Sequence, residues 1–103
     1  MSKRLEFHEI LVNVLGSNNV YFQPPESVKM KYPCIVYHRG EVDPRTAYAD
    51  DILYRVKKAY VVTVIDANPD SLIPDEVQKL PYSRLTRSFT KDNLNHDVFT
   101  IYY

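Results

Sequence analysis

Apolar and polar positions change rhythm several times along the chain, and each rhythm predicts an element. From Lys3 to Leu15 the residues Phe7, Ile10, Leu11, Val14 and Leu15 fall at i, i+3, i+4, i+7 and i+8, one face of a helix. Ser2 offers N-cap chemistry ahead of it and Gly16 a left-handed stop behind it. After the turn residues "SNN", the run "VYFQPP" is β-prone but ends on Pro24 and Pro25, which lack the N–H a ladder needs. A short edge strand is expected there.

"YPCIVYHR", 32–39, is dense in β-branched and aromatic residues with Pro33 at its entry, and reads as a second strand buried on both sides. Residues 52–66, "ILYRVKKAYVVTVID", put Tyr54, Val56, Lys58, Tyr60, Val62 and Val64 on one side. That alternation predicts one long strand, exposed around Arg55, Lys57 and Lys58 and buried after Tyr60. In "NPDSLIPDEVQKLP", Ile73, Val77 and Leu80 return to helical spacing, with Asp70 or Ser71 as cap, Asp75 and Glu76 early, and Pro81 as stop. Pro74 fits only in the first turn, where its missing donor has no partner to lose. "YSRLTRSFT" and "LNHDVFTIYY" then read as two strands joined through Lys91, Asp92 and Asn93 as a hairpin.

The order helix, strand, strand, strand, helix, strand, strand predicts a single α+β domain over 1–103. Its sheet is expected to be mostly antiparallel, of four to five strands, with two helices packed on one face. Between the second and third strands, "GEVDPRTAYADD", 40–51, has neither period and reads as a loop of about twelve residues, a length usually tied to function or motion.

Composition narrows the functional classes. With 103 residues, 45% of them hydrophobic, the chain suits one core. Thirteen Lys and Arg balance thirteen Asp and Glu, which removes the footprint of a dedicated nucleic-acid or anionic-membrane binder and leaves room only for local patches. Cys34 is the single cysteine, so an intrachain disulfide and cysteine-based zinc patterns are out of reach, and a reducing compartment is expected. Glu6, His8 and Glu9 interrupt the first apolar stretch, no run approaches the roughly 18 apolar residues of a membrane span, and a soluble cytoplasmic chain is the expectation.

Candidate chemistry is sparse. In "NHD", 95–97, strand geometry sends His96 to the side of Val98 and Asp97 to the side of Phe99, so adjacency makes no site. A Cys34, His96, Asp97 set would need distant pieces to converge around a thiol in an apolar strand. His8, His38 and His96 have no second ligand at metal-site spacing. Two glycines cannot build a phosphate loop. Nine tyrosines, in contrast, suit subunit contacts and wet sheet faces.

Three stretches, "LGSNNVYFQPPESVKMKYPCIVY", "DDILYRVKKAYVVTVIDANPDS" and "DNLNHDVFTIYY", in this order and spacing resemble the small tail terminator proteins of long-tailed bacteriophages, also called tail completion or tail-to-head joining proteins. The resemblance covers nearly the whole chain. It implies a structural virion protein with no enzymatic activity, catalytic residues, cofactor or metal. Such a subunit forms a hexameric ring on the end of the tail tube, stops its polymerisation and offers a surface to the head connector. The implied partners are copies of itself, the tail tube protein and the head-tail connector protein, with no sequence-specific nucleic acid and no membrane. The implied location is the virion tail or neck, after assembly in the host cytoplasm. On that reading Asp43, Arg45, Asp50 and Asp51 are candidates to pair across the ring or against the tube with Arg55, Lys57 and Lys58 of a neighbour. A different neck component, such as a head-tail adaptor, stays open, as does a small enzyme or ligand-binding domain with a pocket under 40–51.

Overall fold

The structure, a computed structural model, describes residues 2–40 and 57–103. Helix α1 spans Lys3–Leu15, with Ser2 Oγ accepting from Leu5 N–H and Gly16 closing it in the left-handed region at φ 82°, its N–H donating to the Val12 carbonyl. Strands β1 (Val20–Phe22), β2 (Cys34–Arg39) and β3 (Ala59–Asp66) follow, then helix α2 (Ile73–Gln78), then β4 (Ser83–Lys91) and β5 (Leu94–Tyr102). These make an α+β domain with one five-stranded mixed sheet in the order β1-β2-β3-β5-β4.

The pairs β2–β3, β3–β5 and β5–β4 are antiparallel, and β1 runs parallel to β2, Val20 opposite Ile35 and Phe22 opposite Tyr37. Because opposite residues share a side, the register sorts every strand residue. On one side lie Val20, Ile35, Tyr37, Tyr60, Val62, Val64, Phe99 and Ile101, which with Phe7 and Leu11 of α1 and Val77 of α2 form the core cluster. Full burial of each large member contributes about 1.5–3 kcal/mol. Phe7 is the hub: its ring stacks on Tyr60 at 5.1 Å and on Tyr103 at 5.2 Å, and meets Tyr37 edge-on at 5.6 Å.

Some elements differ from expectation in detail. The third strand begins at Ala59; Lys57 and Lys58 precede it in extended chain, with Lys58 exchanging both backbone hydrogen bonds with Tyr103. Residues 52–56, and the expected loop beyond Gly40, lie outside the described residues. Helix α2 has Leu72 at its N-cap, without a side-chain bond there, while Ser71 Oγ accepts from Ile73 N–H and Pro74 sits in the first turn. The β4–β5 connection is tighter than Lys91 to Asn93: only Asp92 and Asn93 form it, both with positive φ, 55° and 63°. Two such residues are the signature of a type I′ hairpin, whose twist matches that of the strands.

Candidate functional site

The C-terminal end of β5 meets the end of α2 and the first turns of α1, and there the packing is incomplete. A pocket of ≈ 170 Å³ opens between Phe7 and Ile10 of α1, Leu80, Pro81 and Tyr82 after α2, and Ile101, Tyr102 and Tyr103, with Lys57 the one charged wall residue among the described residues. Pro81 stops α2, and the chain must reverse into β4 within two residues; it does so by placing Tyr82 at φ 58°. A bulky residue in the left-handed region is strained, and here the Tyr82 carbonyl accepts from Tyr102 N–H to hold it. The reversal leaves the Tyr82 ring 57% exposed, under the Lys57 ammonium at 5.1 Å, a cation–π contact. Tyr103 closes another wall, its hydroxyl donating to Glu6 Oε2 at 3.5 Å. The result is an apolar, tyrosine-lined recess with a cation in its wall, large enough for one ring-sized apolar group.

Of the residues expected at an interface, the structure places two. Lys57 is at this pocket and Lys58 is exposed beside it, whereas Asp43, Arg45, Asp50, Asp51 and Arg55 lie outside the described residues. The pocket itself was not legible in the chain, because it joins residues from both ends and depends on one left-handed tyrosine. Its only local signal is the "LPY" after the helix, a stop followed at once by an aromatic.

The polar groups weighed for catalysis stand apart. Cys34 and His96 both pair with Ile65, one on each flank of β3, so their backbones lie two strand spacings from each other, about 9.6 Å. Asp97 points to the other side of the sheet, where its carboxylate accepts from Ser88 Oγ at 2.6 Å. Cys34 is fully buried, and desolvation, helped by the Asp66 charge, pushes its thiol up to about 11, far from a thiolate at neutral pH. Among the described residues, no group of three or more His, Cys, Asp or Glu gathers to hold a metal ion, and no helix is long and apolar enough to cross a membrane.

One polar cluster is built with care. Tyr37 is buried, and its phenol receives a hydrogen bond from Arg4 Nη1 at 3.3 Å and donates to His8 Nδ1 at 2.8 Å. That assignment makes His8 a neutral acceptor, in keeping with a pKa lowered by burial and by the Arg4 charge. Burial also pushes the Tyr37 phenol up, against the opposing pull of Arg4. Arg4 further covers the Phe22 ring at 4.5 Å. The cluster satisfies the phenol of the fully buried Tyr37 and ties α1 to β1 and β2.

Comparison of the chain with protein-family models, with curated proteins and with solved structures finds no match.

Proposed function

We propose that this chain is a structural assembly subunit of the tail terminator kind that it resembles, which closes a phage tail tube as a hexameric ring and presents a surface for joining the head connector. The observation that carries this reading is the tyrosine-lined pocket with Lys57 in its wall. A ring needs a heterologous contact, in which one surface of each subunit meets a different surface of the next. A recess on one surface, filled by an apolar side chain from another, is such a contact. Leu72, 72% exposed ahead of α2, is a side chain of the right kind. Charges around Lys57 and Lys58 would set register, at about 0.2–1 kcal/mol per exposed pair, while the pocket supplies affinity. A ring of modest contacts forms most readily on a tube end, where binding events support one another.

Electron microscopy of the purified protein mixed with tail tubes tests the proposal. The expected result is a hexameric ring on tube ends, lost in Lys57→Glu/Tyr82→Ala while circular dichroism stays native. A stable two-fold dimer that ignores tail tubes would sink both ring and terminator. The same recess also suits a second reading, a free ring-sized apolar ligand, which would appear as saturable binding of such a molecule with no effect of tubes.

A further inference from the structure

The side of the sheet turned away from the core carries an uneven charge. Strand register puts Arg84 opposite Thr100, Arg87 opposite Val98, Phe89 opposite His96 and Lys91 opposite Leu94, all on this outer side. The two carboxylates of the described strands, Asp66 and Asp97, face the other way, opposite Asn95 and Val64. The outer side thus holds three cations and no carboxylate from the described strands.

An irregularity in β4 makes this so. In an unbroken strand Arg84 and Arg87, three apart, point to opposite sides. Between Leu85 and Arg87 the register shifts, and Thr86 is the extra residue, its hydroxyl donating to the Val98 carbonyl at 3.0 Å. That bulge turns Arg87, Phe89 and Lys91 onto the side of Arg84. Every residue from Arg84 to Lys91 is exposed.

The aromatic geometry is equally specific. Phe89 and His96 stack with centroids 4.7 Å apart and planes 8° from parallel, and the Arg87 guanidinium lies 4.8 Å from the Phe89 centroid. His96 is oriented by its Nδ1–H, which donates to the Leu94 carbonyl at 3.1 Å. A parallel aromatic pair with a guanidinium against it, and cations along the same strand, forms a stacking platform beside a phosphate track. Same-side residues on a strand repeat about every 6.6 Å, the order of the spacing between phosphates of an extended single strand.

We propose that the outer side of β4 and β5 binds single-stranded nucleic acid without sequence preference, phosphates on Arg84, Arg87 and Lys91 and a base on the Arg87, Phe89, His96 stack. An acidic peptide would use the cations but gain nothing from parallel planes, which is why a nucleic acid is favoured. The site shares no residue with the pocket.

Fluorescence anisotropy of a labelled oligothymidylate of about 12 nucleotides, within the usual site size, reads the binding directly. Three phosphate contacts at about −0.7 each give log affinity against log salt a slope of about −2. Arg84→Gln/Arg87→Gln should weaken binding at least roughly tenfold and halve that slope or more, and Phe89→Ala should weaken it at least roughly fivefold, the low end for one stacked base. Lys57→Glu, at the pocket, should leave it unchanged. Circular dichroism checks each variant. Competition on the unaltered protein keeps the test decisive if a variant misfolds: unlabelled oligothymidylate displaces the probe, and polyglutamate of equal charge does not. No anisotropy change up to about 10⁻⁴ M protein, the weak end of non-specific affinity, overturns the proposal. So does equal displacement by polyglutamate, which would mark an acidic-protein surface, or a Phe89→Ala variant that binds as before.

Discussion

A single hydroxyl fixes how Tyr37 sits in the core. Tyr37 sits in the core only because Arg4 and His8 satisfy its phenol, so Tyr37→Phe, nearly the same shape, strips both of a partner. The expected cost is about 1–3 kcal/mol, read as a lower denaturant midpoint at unchanged slope. His8 adds a pH dependence with a definite sign. Its folded pKa lies below 6.5, so its contribution is whole above that value and is lost as pH falls through the folded pKa. Between about pH 7.5 and about pH 5 the wild type should lose more stability than His8→Gln, with melting temperatures at both pH values as the check. Cys34 offers a third test. Buried and held protonated, it should react with a thiol-specific disulfide reagent only as fast as the chain opens, so labelling should accelerate with denaturant in step with unfolding.

At the level of elements, what could be read from the chain follows the range of the interactions that decide it. The bounds of α1 were legible because its face, Ser2 cap and Gly16 stop are all local. Both hairpin strands were legible for the same reason, and the turn between them makes a sharp prediction. Asn93, at φ 63°, stands where glycine rests without strain, so Asn93→Gly should raise stability by up to about 1 kcal/mol, and Asn93→Val should lower it by more than that. Parallel pairing of β1 was not legible, since the residues that meet, Val20 and Ile35, say nothing locally of strand direction. The bulge at Thr86 was hidden because "SRLTRSFTK" is polar on both sides, leaving no burial pattern to betray a change of register. The pocket stayed out of sight for a related reason: its walls belong to four separate segments.

Among the described strands the two sheet edges are unlike. The β1 edge is three residues long and ends at Pro24 and Pro25, whereas β4 presents nine residues, all but Ser83 exposed and including Leu85 and Phe89. A long edge of that kind templates pairing with other chains, and Arg84, Arg87 and Lys91 work against it by repulsion. Replacing all three with Thr, a good strand residue, should keep the fold yet raise light scattering at high concentration. The position of β5 has a different bearing. It lies between β3 and β4, supplies Phe99 and Ile101 to the core, and is followed by Tyr103 on the Phe7 ring. Of the described elements, a ribosome makes α1 first and β5 last. Helix α1 therefore leaves the exit tunnel well before Phe99 and Ile101, and the core it shares with them closes only once β5 has emerged. Stalled nascent chains should show this directly: with residues 1–93 outside the tunnel they should be cut by a brief protease pulse, and with residues through 103 outside they should resist it.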